Sequence, residues 1–103
     1  MRFLIKVSIP VEAGNKAIRD GTLGETIGRV LSELKPEAAY FTTDGGKRTG
    51  FIVADIKDPH QMVSVAEPWF LAFNASVEYH PAMTPEDLQK AGPDLARAAK
   101  TYG

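Results

Sequence analysis

The order in which strand-like and helix-like patterns follow one another is the feature that most constrains how this chain can fold. Four segments have strand patterning, either an alternation of apolar and polar residues or a run of aromatic and β-branched residues. Helical patterning separates the first segment from the second and the third from the fourth, and one more helical segment follows. Because crossover connections are right-handed, such an order places its helices together on one side of an antiparallel sheet. The sequence therefore predicts an α+β fold.

The first and fourth strands show the clearest alternation. One face of the first strand is apolar throughout and consists of Phe3, Ile5, Val7 and Ile9. In the fourth strand, Ser76, Glu78 and His80 alternate with apolar residues. Pro81 lacks a backbone N–H, so it confines this strand to an edge or an end of the sheet. We expect the apolar faces to meet the helices, and Lys6, Glu78 and His80 to share the opposite face.

The second and third strands are predicted to form a hairpin. Residues 38–43 and 49–56 are rich in aromatic and β-branched residues, and the turn between them contains Gly45 and Gly46. Glycine readily adopts the positive φ angles of a tight turn. The pattern leaves the register open by one residue. The side chain that faces away from the helices is therefore either Tyr40 or Phe41 in the second strand, and either Phe51 or Ile52 in the third. The chain is thus predicted to be one domain, residues 1–103, of ferredoxin-like βαββαβ topology with an extra C-terminal helix.

The first helix carries clear start and stop signals. Thr22 and Glu25 fit a capping box at its start, and Pro36 ends it. Its buried stripe is predicted to contain Ile27, Val30, Leu31 and Leu34. Residues 11–20, which precede it and are broken by glycine, are predicted to be a loop with at most one helical turn.

The second helix is predicted to begin at Asp58, with Pro59 in its first turn and Gln61 as the reciprocal cap. Pro68 removes a backbone donor inside this helix, so we expect a kink or a restart before Trp69. The last helical segment has three landmarks: a cap at Thr84, a break at Gly92-Pro93 and an end near Lys100.

Composition excludes several classes of function. The chain has no cysteine, which rules out disulfides, thiolate zinc sites and a cysteine nucleophile, and favours a reducing, cytoplasmic location. The formal charge of -1 argues against nucleic acid as a partner, and no apolar run approaches the ~20 residues that span a membrane. The two histidines, His60 and His80, are far apart in sequence, so we expect no metal and no cofactor.

The sheet face opposite the helices is predicted to mix large apolar groups with a few charges. Leu4 and one aromatic side chain from each hairpin strand would lie beside Lys6 and Glu78. Such a face is too apolar to remain in water. Self-association is the commonest way to cover it in so small a domain, so we expect a homodimer.

His80 and Glu78 are the clearest candidates for acid–base chemistry. Residues two apart on a strand project from one face with Cα atoms roughly 7 Å apart, so the carboxylate could orient an imidazole that acts as a general base. A polar strand end in solvent, or a pair of Lys6 with Glu78 across strands, explains the same residues without catalysis.

Three aromatic residues, Tyr40, Trp69 and Phe73, and one arginine, Arg48, are candidate ligand-binding residues. Trp69 and Phe73, which cluster with Phe70 on the second helix, are predicted to wall an apolar pocket between sheet and helices together with Tyr40. Aromatic residues at helical spacing are also typical of a core. Arg48, which follows two glycines and Lys47, could hold a phosphate or a carboxylate, and the alternative is a solvated turn.

Four segments carry a resemblance to known proteins: residues 9–15, 20–24, 44–51 and 67–70. They resemble a family of short, functionally uncharacterised bacterial proteins, which in turn resembles the dimeric α/β-barrel superfamily. In that superfamily two ferredoxin-like sheets close face to face, so the resemblance implies a homodimeric barrel. Its members include cofactor-free monooxygenases, lactone isomerases, haem enzymes and regulatory ligand-binding domains. The resemblance therefore does not select one activity.

Three classes of function fit these observations. The first is a homodimeric small-molecule-binding protein, or a cofactor-independent enzyme that performs proton transfer or oxygenation on an aromatic or carbonyl substrate. One alternative is an RNA-recognition module, because residues 48–53 loosely resemble the third-strand motif of that module, with Phe51 as a stacking aromatic residue. The other alternative is a regulatory or structural interaction domain.

Overall fold

The computed structural model describes residues 1–103 as four strands and five helices. In chain order the elements are β1 (Arg2–Ile9), α1 (Val11–Arg19), α2 (Leu23–Leu34), β2 (Ala38–Asp44), β3 (Lys47–Asp55), α3 (Gln61–Phe73), β4 (Ser76–Pro81), α4 (Pro85–Lys90) and α5 (Gly92–Tyr102). The strands form one sheet in the order β2-β3-β1-β4, and all neighbours are antiparallel. The predicted α+β class and βαββαβ order are confirmed, and β4, which ends at Pro81, lies at an edge.

The register of the hairpin decides which residues face the helices. Tyr40 pairs with Phe51 and Phe51 with Lys6, whereas Ile52 pairs with Ile5. Ile5 and Ile52 are fully buried in the core between sheet and helices. Since side chains alternate along a strand, Tyr40 and Phe51 lie with Lys6 on the opposite face. The register thus settles a choice that the sequence pattern left open.

Helix α1 occupies residues that were predicted to form a loop, so the prediction for residues 11–20 is wrong. The helix starts directly after Pro10 and buries Gly14 and Ala17. A Cβ atom on Gly14 would lie 2.5 Å from Nη1 of Arg48, so this glycine permits close packing. Glycine lowers the intrinsic helix propensity, and tertiary packing overrides that preference here.

The start of α2 also differs from the prediction. The side chain of Thr22 does not cap this helix, and its hydroxyl instead donates to the carbonyl of Ala17 at 3.4 Å. Thr22 has φ -107° and ψ -10°, whereas a capping residue is normally extended. The predicted capping box with Glu25 is therefore wrong. Thr84, which is extended, forms the complete box at α4 with Asp87, at distances of 3.1 and 3.0 Å.

Helix α3 is continuous from Gln61 to Phe73, so of the predicted kink or restart before Trp69 the restart does not occur. The regular helix also begins later than the predicted start at Asp58. Gln61 nevertheless acts as the reciprocal cap, because its Oε1 accepts a hydrogen bond from the Asp58 N–H at 2.9 Å. The helix buries Trp69 and Phe73, whose ring centroids lie 6.2 Å apart.

Helix α5, which we call the C-terminal arm, stands away from the rest of the chain. The last helical segment is broken as predicted, but the break lies at Ala91 and Gly92-Pro93 begin the arm. Every residue of the arm from Pro93 onward is exposed. The chain measures 58 × 28 × 20 Å and has a radius of gyration of 17.2 Å, against about 13 Å for a compact domain of this length. No helix is long and apolar enough to cross a membrane.

Candidate functional site

Three of the predicted site residues lie on the sheet face that the helices leave uncovered, which we call the open face. One row across its four strands consists of Tyr40, Phe51, Lys6 and Glu78. His80 lies in the next row, where it pairs with Leu4. Tyr40, Glu78 and His80 are all exposed. The strand alternation therefore places the predicted acid–base pair and Tyr40 on one surface.

Lys6 is the charged centre of the open face. Its Nζ lies 2.7 Å from Oδ2 of Asp44 and 3.8 Å from Oε2 of Glu78. The hydrogen bond between Lys6 and Asp44 raises the pKa of the lysine and lowers the pKa of the aspartate. Glu78 thus has a cation as its neighbour on β1, so the structure contains the Lys6–Glu78 pair that explains this residue without catalysis.

A second region lies on the helix side of the sheet, where α2 and the β2–β3 hairpin leave an opening that we call the hairpin cleft. Its volume is about 350 Å³. Its apolar wall consists of Ile9, Leu23, Ile27, Phe41 and Trp69. Its other lining residues are Thr42, Arg48, Thr49 and Gly50, and no acidic residue lines it. The cleft is therefore an apolar opening whose only ionisable lining residue is a cation.

Gly50 leaves room for the Phe41 ring, which forms one wall of the hairpin cleft. It pairs with Phe41 across the hairpin, and a Cβ atom on Gly50 would lie 3.0 Å from the Phe41 ring. The ring therefore packs on the backbone of β3 while remaining 52% exposed. Sequence reasoning did not identify Phe41 as a cleft residue, because only the hairpin register decides whether it or Tyr40 faces the helices.

Arg48 is a partly buried cation without an acidic partner. Its Nη2 donates to Oδ1 of Asn15 at 3.0 Å, and its Nη1 donates to the carbonyl of Val11 at 3.4 Å. Of the 12 lysine and arginine side chains, only Arg2, Lys6 and Arg48 are partly buried. The first two pair with carboxylates at 2.9 and 2.7 Å, whereas Arg48 forms no ion pair.

Trp69 lines the hairpin cleft and also belongs to the core. It is the only tryptophan in the chain, it is 1% exposed, and its buried Nε1 has no acceptor. A buried N–H without an acceptor costs about 1–3 kcal/mol. Because Trp69 lines the cleft, its indole group is close to any molecule bound there.

The structure divides the predicted site residues among three places. Arg48 and Trp69 line the hairpin cleft, Tyr40, Glu78 and His80 lie on the open face, and Phe73 is in the core against Trp69. The sheet separates the cleft from the open face, so one small ligand cannot contact both within a single chain. Nowhere are three His, Asp or Glu side chains grouped closely enough to hold a metal ion.

Comparison with known proteins identifies a fold and a family. A structurally similar protein is a formyltetrahydrofolate deformylase from Pseudomonas putida KT2440, with a TM-score of 0.50 and 14% sequence identity. The match covers 80% of this chain and 29% of the deformylase chain, so this chain spans less than a third of that protein. At this identity the likeness concerns the fold alone. No curated protein matches the sequence. The family described as "Domain of unknown function (DUF3303)" matches residues 1–96, and the chain therefore belongs to this functionally uncharacterised family.

Proposed function

We propose that the chain is a homodimeric small-molecule-binding domain whose ligand occupies the hairpin cleft. The observation that carries this proposal is the apolar opening of about 350 Å³ itself, whose only ionisable lining residue is Arg48. The apolar part of a ligand would be removed from water by the surrounding wall, while an acceptor group of the ligand would receive hydrogen bonds from Arg48. A burial of this kind gives both affinity and orientation.

The cleft is better suited to bind a small molecule than the open face of a single chain. Ligand sites are concave, mostly apolar and supplied with a few polar groups, and their volumes start near 300 Å³. The hairpin cleft, at about 350 Å³, meets this description. It is also built from β1, α2, β2, β3 and α3, so its shape depends on the complete fold rather than on one loop.

The homodimer is the second part of the proposal, and two unpartnered surfaces of one chain support it. On the open face Tyr40 is 71% exposed and Leu4 is 37% exposed, and on the C-terminal arm Leu95 and Tyr102 are 60% and 89% exposed. A second copy would supply a cover for each of these surfaces. We therefore assign both to the contact between two copies of this chain.

The size of the surfaces favours a contact that includes the arm. Four strands about 4.8 Å apart and about 20 Å long offer roughly 400 Å², whereas each partner in a typical stable interface buries roughly 800 Å². The open face alone is therefore too small. The arm, which contacts no other part of its own chain closely enough to be buried, offers the additional area.

Catalysis by His80 and Glu78 would depend on this assembly. Both side chains are exposed in one chain, and general acid–base catalysis is most effective where water is excluded. A second copy over the open face would enclose them. Binding in the cleft is therefore the primary proposed function, and an enzymatic role of the pair is proposed only for the dimer.

The binding proposal can be tested with the single indole N–H as a reporter. In a ¹H–¹⁵N correlation spectrum, Trp69 gives the one indole resonance of the chain. We expect small single-ring aromatic and short aliphatic compounds, screened in neutral and charged forms, to include some that shift this resonance in a saturable manner.

A matched pair of variants provides the control. Ile27→Phe fills the cleft and should abolish the shift, whereas Leu71→Phe, at a residue 82% exposed on α3, should leave it unchanged. If no compound shifts the indole resonance, or if Ile27→Phe binds as well as the parent chain, the proposal is wrong.

A further inference from the structure

We infer that the ligand of the hairpin cleft is a monoanion, a carboxylate on a small apolar body, with its carboxylate bound to Arg48. This inference rests on the proposed function and specifies the chemical class of the ligand. Its starting point is the charge of the cleft lining, in which Arg48 is the only ionisable side chain. A bound monoanion would neutralise that charge.

The surroundings of Arg48 leave a binding position open on the guanidinium group. Its hydrogen bonds go to two uncharged oxygens, the Asn15 amide and the Val11 carbonyl, and the second of these is long at 3.4 Å. Every other partly buried cation of the chain has a carboxylate partner. A partly desolvated guanidinium is stabilised by a carboxylate, and its planar shape matches a carboxylate with two parallel hydrogen bonds.

The guanidinium of Arg48 is held in place before any ligand arrives. It lies against α1 at Gly14, so closely that a Cβ atom there would be 2.5 Å from Nη1. Asn15, the next residue of the same helix, holds Nη2 in place by accepting a hydrogen bond from it. Asn15 is therefore a positioning residue. A cation that is already oriented loses little side-chain entropy on binding, which strengthens the interaction with an anion.

The start of α2 is a further feature of the cleft that favours negative charge. Leu23, the first residue of α2, lines the cleft, and the preceding Thr22 does not cap this helix with its side chain. The N–H groups and the positive end of the helix dipole are therefore available to an anion there.

The same observations select a monoanion with an apolar body over a phosphate group. The cleft contains one cation, so a dianion would bring one uncompensated charge into an otherwise apolar lining. The apolar wall contributes to the binding free energy only by covering apolar ligand surface, so it would add nothing to the binding of an inorganic anion. A single aromatic ring or a short aliphatic chain suits the volume of about 350 Å³.

The test compares benzoate with benzamide, its neutral analogue of nearly the same shape, by the shift of the Trp69 indole resonance at low ionic strength. We expect benzoate to bind at least about tenfold more tightly, since a charge-assisted hydrogen bond replaces a neutral one. Inorganic phosphate should not compete with benzoate at equal concentration. Equal affinities for benzoate and benzamide would overturn the inference while leaving the proposed function intact. If neither compound shifts the resonance up to its solubility limit, the inference fails, and the proposed function fails as well when no other compound of the screen shifts it.

Variants of Arg48 complete the test. Arg48→Met should make the affinities for benzoate and benzamide nearly equal, and Arg48→Lys should retain part of the preference for benzoate. Lys47→Gln, which removes an exposed cation from the same hairpin, should leave the preference unchanged. A preference for benzoate that persists in a folded Arg48→Met chain would overturn the inference, and the comparison in the parent chain decides it even if that variant does not fold.

Discussion

The two faces of the sheet are built from alternate residues of the same four strands, yet the helices cover only one of them. The helices cover Ile5 and Ile52 on one face, and the openings on that side include the apolar hairpin cleft beside Arg48. The open face carries the candidate acid–base residues Glu78 and His80, and both are exposed in a single chain. The comparison teaches that exposed titratable residues and a binding volume need not coincide.

The largest effect on stability is expected when a side chain is removed from the core between the sheet and the helices. Trp69→Ala should lower the free energy of unfolding by about 3–5 kcal/mol, because it removes a large side chain that is 1% exposed from the core. Urea denaturation measures this directly. Leu71→Ala, on the same helix but 82% exposed, should change stability by less than about 0.5 kcal/mol and serves as the control. Similar losses in both variants would mean that α3 does not seal this face.

The next effect concerns the assembly of two open faces. Sedimentation equilibrium at micromolar concentration should give a dimer. Tyr40→Glu should weaken it by about 3 kcal/mol, or roughly a hundredfold in the dissociation constant, because a carboxylate would be buried without a partner. Leu71→Glu, outside the open face, should leave the dimer intact. A monomeric parent chain would contradict the dimer proposal.

A smaller effect is expected from the Lys6–Asp44 pair. The folded-state pKa of Asp44 is lowered by Lys6, so the pair stabilises the fold fully above the ordinary aspartate pKa of 3.8, and this contribution is lost as the pH falls below that value. Lys6→Met should therefore reduce the loss of stability in acid, without changing its direction. Urea denaturation at several pH values tests this, and identical acid dependence in both chains would show that the exposed pair is too well screened to matter.

The smallest effect is expected for His80. His80→Ala removes an exposed side chain from an edge strand, so stability should change by less than about 0.5 kcal/mol. Binding of benzoate in the hairpin cleft should also be unchanged, because the sheet lies between the two places. If His80→Ala weakened that binding as strongly as Arg48→Met, the two faces would share one site across the dimer, and the separation drawn above would be incorrect.

The sequence predicted those features that depend on local patterns. The alternation around Ile5 identified the buried face of β1, the glycines after Asp44 identified the hairpin, and Thr84 identified the cap of α4. These signals are local because a strand face, a tight turn and a cap each involve only a few neighbouring residues. The same reasoning selected Arg48 and Trp69 as candidate binding residues, which stays a prediction, and it could not place them in one cleft.

The features that the sequence did not predict depend on contacts between distant residues. Gly14 appeared to break α1, but its missing side chain makes room for Arg48, which lies on another element. Thr22 has the composition of a cap, but its backbone conformation directs its hydroxyl to Ala17. Phe41 became a cleft residue only through its register against Gly50. Propensity alone carries none of this information.

The C-terminal arm has a consequence for cooperativity. It is an 11-residue helix with no buried residue, and isolated helices shorter than roughly 12–15 residues are only marginally stable in water. In a lone chain the arm would therefore lie outside the cooperative unit that unfolds with the sheet, and its hydrogen bonds would fray first. The proposed dimer would bring it into that unit. The helical signal of this protein in circular dichroism should then increase with protein concentration, so that its helicity reports assembly.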